Sequence, residues 1–189
     1  MDILKELKEY ALLHKVPIIK DEGLDFLLKN IQKYNVKRVL EIGTAIGYSA
    51  IAMSKYASVL TIERNKEMIN EAIKNFKKAN SSNITLIEGD ALEVEVDGEF
   101  DLIFIDAAKA QYEKFFNKYT KLLKKGGLVI CDNLSFHGLV QNKEENMSRN
   151  LRSLVRKIEA FNSFLLNNQD YETHIYYEIG DGVSLSIKK

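Results

Sequence analysis

Arg38-Val39-Leu40-Glu41-Ile42-Gly43-Thr44-Ala45-Ile46-Gly47-Tyr48-Ser49 begins as an apolar, β-branched run, turns at Gly43 and Gly47, and passes into residues with helical spacing. That is a strand, a tight turn and a helix over 48–57, and the unit recurs downstream. Val59-Leu60-Thr61-Ile62-Glu63 predicts a second strand ahead of a helix over 66–79. Ile84-Thr85-Leu86-Ile87 and Asp101-Leu102-Ile103-Phe104-Ile105-Asp106 predict two more, followed by a helix over 111–124 and the strand Gly127-Leu128-Val129-Ile130-Cys131-Asp132. Strands this continuously apolar must be covered on both faces, the pattern of a parallel sheet between helical layers. Upstream, 2–14 and 22–34 carry apolar residues at helical spacing, joined through Val16-Pro17-Ile18-Ile19. Downstream, a helix over 148–166 precedes two segments, 173–179 and 183–188, separated by Gly180-Asp181-Gly182, which suits an antiparallel hairpin. The expected fold is a doubly wound α/β domain over 1–189: N-terminal helices in 1–35, then a core in 36–189 with a mostly parallel seven-stranded sheet and an antiparallel finish.

Composition agrees with one such domain. The chain has 189 residues, 46% hydrophobic, with 27 basic side chains against 27 acidic ones. A chain of this length and apolarity buries a sizeable core, and the even charge balance excludes both a disordered chain and a generally polyanion-binding surface. No apolar run approaches the ~20 residues of a membrane span, and the opening Met1-Asp2-Ile3-Leu4-Lys5-Glu6 lacks a signal-peptide pattern. A cytoplasmic location is expected. The single cysteine, Cys131, excludes an internal disulfide and a Cys-rich metal site, so any metal must be held by oxygen or histidine. Within a hydrophobic strand it reads as an inert buried thiol.

In an open α/β sheet ligands bind beyond the carboxyl ends of the strands, which makes the polar residues there the ones to inspect. Gly43 and Gly47 form a G-x-x-x-G turn. A dinucleotide fingerprint needs G-x-G-x-x-G, and the missing middle glycine argues against NAD. Glu63 ends the next strand, where a carboxylate can accept both hydroxyls of a ribose, so an adenosine-type ligand without phosphates suits the pair. The same residues also fit a plain strand-to-helix turn and a solvated glutamate. Gly89-Asp90-Ala91 is either a third contact over this crevice or an Asx turn. Asp106-Ala107-Ala108-Lys109 and Asp132-Asn133 end two further strands; two carboxylates and an amide oxygen make a hard, all-oxygen half-shell that suits Mg²⁺ and not zinc.

Taken together, E-I-G-T-A-I-G-Y-S, Glu63, G-D-A, D-A-A-K with Tyr112, D-N and the closing G-D-G-x-x-x-S-x-K resemble the cation-dependent O-methyltransferases that use S-adenosylmethionine, the group of the catechol and caffeoyl-CoA enzymes. The resemblance runs from about Val16 to the C-terminus and implies a Rossmann-like class I methyltransferase fold. It places the methionine end of the cofactor near Glu41, Gly43, Thr44 and Ser49, its ribose on Glu63, its adenine beside Asp90 and Ala91, and Asp106 at the cofactor as well as among the metal ligands Asp106, Asp132 and Asn133. Lys109 matches the group's general base, although a salt bridge to Asp106 fits it equally. The metal would chelate two adjacent substrate oxygens and align one with the sulfonium methyl. Asp132 through Val140, the arginine-bearing helix and Ile179-Gly180-Asp181-Gly182 look most like a bacterial branch that methylates 5-hydroxyuridine at the tRNA wobble position to 5-methoxyuridine. A small catechol-like or caffeoyl-CoA-like phenol is the alternative substrate, and a non-catalytic nucleotide- or RNA-binding module is the alternative of another class. The group also suggests a homodimer, with the N-terminal helices as candidate contacts.

One feature outside these motifs leans toward RNA. Of five arginines, Arg149, Arg152 and Arg156 lie on one helix face, opposite Leu151, Leu154, Val155 and Ile158. They read as a phosphate grip on a tRNA anticodon stem-loop or as a solvated charged face. His14, His137 and His174 lack metal-ligand spacing, with His137 alone near enough to the Asp132-Asn133 stretch to touch substrate.

Overall fold

The computed structural model describes residues 3–135, 138–140 and 147–189. Helices α1 (Ile3–His14) and α2 (Asp21–Lys33) precede β1 (Arg38–Ile42), α3 (Tyr48–Ser54), β2 (Ser58–Glu63), α4 (Lys66–Lys78), β3 (Ile84–Glu88) and β4 (Phe100–Ile105). Then come α5 (Tyr112–Tyr119), β5 (Leu123–Cys131), α6 (Arg149–Asn167), β6 (Tyr171–Tyr176) and β7 (Val183–Lys188). The seven strands lie in the order β3-β2-β1-β4-β5-β7-β6. The first five are parallel, and β7 runs antiparallel to both β5 and β6. This is the Rossmann-like α/β methyltransferase sheet expected from the sequence.

The continuous apolar strands follow from two cores. Along β4, Leu102 and Phe104 pack under α1, α2 and α3, whereas Ile103 and Ile105 face α5 and α6. The second core is aromatic: Tyr112, Phe116, Phe161 and Tyr171 meet edge to face at centroid distances of 5.1–6.3 Å. Burial also explains α2, which has no side-chain N-cap. A missing cap costs about 1 kcal/mol, while each of the buried Leu24, Leu27 and Ile31 contributes roughly 1.5–3 kcal/mol. Packing therefore outweighs the absent cap.

Several element bounds differ from the sequence reading. The helix expected over 111–124 ends at Tyr119, followed by a 3-10 turn, Thr120–Leu122, and β5 begins at Leu123 rather than Gly127. Lys124-Lys125-Gly126-Gly127 belongs to that strand because Leu123 pairs with Phe100 before the register shifts and Leu128 takes up Leu102. The helix over 48–57 stops at Ser54. The strand expected over 173–179 is Tyr171–Tyr176; residues 177–182 form a longer turn, because Tyr176 pairs directly with Val183. Leu12 and Leu13 stand exposed on α1. Among the described residues no helix is long and apolar enough to cross a membrane. His137 lies outside the described residues.

Candidate active site

Beyond the carboxyl ends of β1, β2 and β4 opens a cleft of about 520 Å³. Its floor is the loop after β1. Gly43 has φ +99°, and a Cβ there would stand 2.1 Å from the carbonyl oxygen of Asp106, so only glycine lets β1 and β4 approach this closely. The glycine turn thus accommodates the neighbouring strand end as well as leaving room above it.

Glu63 braces the floor. Its Oε2 accepts from the backbone N–H groups of Thr44 (3.2 Å) and Ala45 (3.0 Å), and Oε1 from those of Arg64 and Asn65, both at 2.9 Å. One carboxylate therefore ties the turn after β1 to the turn after β2. It still faces the cleft, but these four N–H groups already take up the roughly four acceptor sites of a carboxylate, so a ribose hydroxyl would have to share or displace one of them. Glu41 lies deeper. It is fully buried and does not line the cleft; Ser49 Oγ donates to Oε1 and Thr61 Oγ1 to Oε2, each at 2.5 Å, while Thr44 and Thr61 hydroxyls meet at 2.6 Å. Burial pushes its carboxyl up to about 8, against the lowering effect of the two hydroxyls. Glu41 therefore meets the cleft through Ser49 and, by way of Thr61, through Thr44, a point the sequence could not separate from direct contact.

Asp90 combines both of its sequence readings. Its Oδ1 accepts from Leu92 N at 2.9 Å, an Asx turn, and Oδ2 pairs with Arg64 Nη1 at 2.9 Å, while the residue lines the cleft with Ala91. The Leu92 amide, aided by Arg64, holds its carboxyl below the usual range.

At the other end of the cleft the half-shell assembles. Asn133 Nδ2 donates to Asp106 Oδ1 at 3.2 Å, and Asp132 Oδ1 accepts from Asn133 N at 2.7 Å. Burial raises both carboxyls, and Asp132 is raised further by the charge of Asp106, while Lys109 lowers both. Lys109 is thus within electrostatic reach of each acid. Among the described residues no cluster of three His, Cys, Asp or Glu side chains is suited to a metal. The donors that would hold a hard cation are the two carboxyls and the Asn133 amide, whose oxygen would have to turn inward in place of the NH₂ that now donates to Asp106. Two carboxyls and an amide at adjoining strand ends are an all-oxygen donor set of the kind that fits a divalent ion.

Two side chains support this corner: Tyr112, which the sequence marked only as part of the resemblance, and Asn162, which it did not mark. Tyr112 Oη donates to the Asp132 carbonyl at 3.0 Å, and Asn162 Nδ2 to the Leu134 carbonyl at 3.1 Å. Residues 14–19 wall the cleft, joined by Met68, Gln111 and Phe115. Arg149, Arg152 and Arg156 are not cleft residues; they are exposed on α6, which is capped by Ser148 and packs against the 3-10 turn Lys109–Gln111.

All 189 residues match the profile of the O-methyltransferase family. The caffeoyl-CoA O-methyltransferase of Populus kitakamiensis is 30% identical over 200 aligned positions, covering 96% of this chain and 84% of the relative. A Staphylococcus aureus structure described provisionally as a caffeoyl-CoA O-methyltransferase is 43% identical, with a TM-score of 0.93 over 98% of this chain and 92% of that one. The S-adenosylhomocysteine-bound methyltransferase PaMTH1 of Podospora anserina is 26% identical, with a TM-score of 0.87 over 100% and 88%.

Proposed function

The chain belongs to the O-methyltransferase family, and on that premise we propose that it transfers a methyl group from S-adenosylmethionine to one of two adjacent oxygens, with a divalent cation at Asp106, Asp132 and Asn133. The observation that carries this reading is the meeting of Asp106 and Asn133 beside the cleft that Glu63 braces. When bound, the cofactor supplies an electrophilic sulfonium methyl, and the cation acidifies and orients the accepting hydroxyl. The protein does the rest. Glu63 receives the ribose hydroxyls and keeps the Gly43–Ala45 turn in place; Asp90 and Ala91 flank the adenine. Lys109, within electrostatic reach of both carboxyls, is the group that would take the hydroxyl proton once a bound cation offsets their charge.

For the acceptor, 5-hydroxyuridine at the tRNA wobble position is our first choice. Its 5-hydroxyl and 4-carbonyl offer the adjacent oxygens, and the exposed Arg149, Arg152 and Arg156 supply a phosphate-binding face on the helix that packs against the Lys109 turn. The second reading is a small phenol of the catechol or caffeoyl-CoA type, favoured by the activities named for the relatives. Mass spectrometry of tRNA nucleosides distinguishes them. A deletion strain should lose 5-methoxyuridine and accumulate 5-hydroxyuridine, reversed when its tRNA is incubated with the protein; unchanged nucleosides with rapid methylation of a catechol would establish the phenol.

A further inference from the structure

Lys20 Nζ and Asp181 Oδ1 are 2.7 Å apart and 161 residues distant in sequence. Lys20 ends the segment whose residues 14–19 wall the cofactor cleft, and it precedes the first turn of α2. Asp181 sits in the turn between β6 and β7 with its side chain only 10% exposed. The same turn grips the loop that follows the metal ligands: Ser135 N donates to the Asp181 carbonyl at 2.8 Å and Leu134 N to the Gly182 carbonyl at 2.9 Å. The fit is close on both sides. A Cβ on Gly182 would lie 2.4 Å from Ser135 N, and one on Gly180 would lie 3.3 Å from Gly23 N in α2.

The gripped loop needs holding. Asn133 has φ +66°, a left-handed conformation that asparagine tolerates better than most side chains but that still has a cost, which the contacts around it must offset. The Asp181 carboxylate is nearly buried, and Lys20, half-exposed, reaches it from the start of α2. Removing Lys20 would break the side-chain tie between the start of α2 and the turn whose carbonyls hold Leu134 and Ser135. One ion pair thus joins the cofactor wall to the turn that fixes the ligand loop.

We propose that Lys20 and Asp181 are positioning residues that couple occupancy of the cofactor cleft to the order of the Asp132–Ser135 loop. A ligand under residues 14–19 steadies Lys20, Lys20 steadies the turn, and the turn's carbonyls steady the loop. The inference rests on the cofactor reading above. It is tested without activity or metal, by hydrogen exchange of the Leu134 and Ser135 amides with and without S-adenosylhomocysteine. In the wild type, ligand binding should slow these amides about tenfold or more. In Lys20→Met and Asp181→Asn the ligand should still bind but slow them less than about twofold, and Lys20→Arg should restore the effect. Asp181→Asn breaks the pair while keeping the backbone carbonyl that holds Ser135, so full protection in that variant overturns the coupling even should the methionine variant fold poorly. Full protection in Lys20→Met, or none in a wild type that binds the ligand, would overturn the coupling. A wild type that does not bind S-adenosylhomocysteine, seen in the same titration, removes the cofactor reading and the coupling with it.

Discussion

Asn133 donates its side-chain amide to Asp106 Oδ1 across the ends of two strands, at 3.2 Å and 27 residues' separation. The contact is a consequence of register. With Ile105 paired to Cys131 in parallel strands, the residues that follow each strand emerge side by side, and their side chains share one corner of the cleft. Everything proposed for the metal depends on that pairing.

Gly43→Ala should remove the cleft floor. Its Cβ would stand 2.1 Å from a backbone oxygen at φ +99°, where neither atom can move aside. We expect a loss of about 3 kcal/mol or more in chemical denaturation, with S-adenosylhomocysteine binding abolished. Gly126→Ala is the control: φ is +74° but nothing lies within 4 Å, so only backbone strain of about 1 kcal/mol should appear. Equal losses would mean that the contact with Asp106 is unimportant.

Glu63→Gln exchanges a carboxylate that accepts four amides for a group whose NH₂ must face two of them. S-adenosylhomocysteine affinity, read by calorimetry, should fall about tenfold or more, since each mismatched amide loses a charge-assisted bond of about 1.5–3 kcal/mol. Unchanged affinity would show that the turn is held by other contacts.

Glu41 makes stability depend on pH. Burial pushes its carboxyl up to about 8 from an ordinary 4.5, so the folded state binds its proton more tightly than the unfolded chain does. The stabilisation is fully present below the unfolded value, falls as pH rises toward about 8, and levels off above it. Urea midpoints for the ligand-free protein at pH 5, 6.5 and 8 should decline in the wild type and decline less steeply in Glu41→Gln, where the raised Asp106 and Asp132 carboxyls still contribute. The same slope in both would assign the pH effect to another group.

These contacts mark how far the sequence could be read. The parallel strands were legible because apolar runs such as Leu102-Ile103-Phe104-Ile105 serve two cores at once, and the strand-end acids followed from the fold's geometry. The start of β5 was hidden because Lys124-Lys125-Gly126 has loop chemistry yet pairs as strand through a shifted register. Arg64 with Asp90, and Lys20 with Asp181, were invisible because each pair is made only by the closed tertiary fold. Glu63 was found for its position; its four backbone partners belong to two turns and carry no residue-type signal.

Replacing Arg149, Arg152 and Arg156 together by Gln separates the two acceptors. If the exposed face of α6 holds a tRNA stem, binding should weaken by about 1 kcal/mol or more per lost phosphate contact at low salt, and the salt slope should flatten by roughly 0.7–0.9 per contact. A phenol methyltransferase would keep its turnover.

Methyl transfer itself is the most direct test of the central claim. The purified protein is incubated with S-adenosylmethionine carrying a labelled methyl group and either 5-hydroxyuridine-containing tRNA or a catechol, in Mg²⁺ and in EDTA. The account predicts labelled O-methyl product on at least one acceptor in Mg²⁺, none in EDTA, and none from Asp132→Ala, which should still bind S-adenosylhomocysteine because Glu63 and the β1 turn are untouched. Full activity in EDTA would contradict the metal site, and cofactor binding without transfer to either acceptor would contradict the assigned reaction.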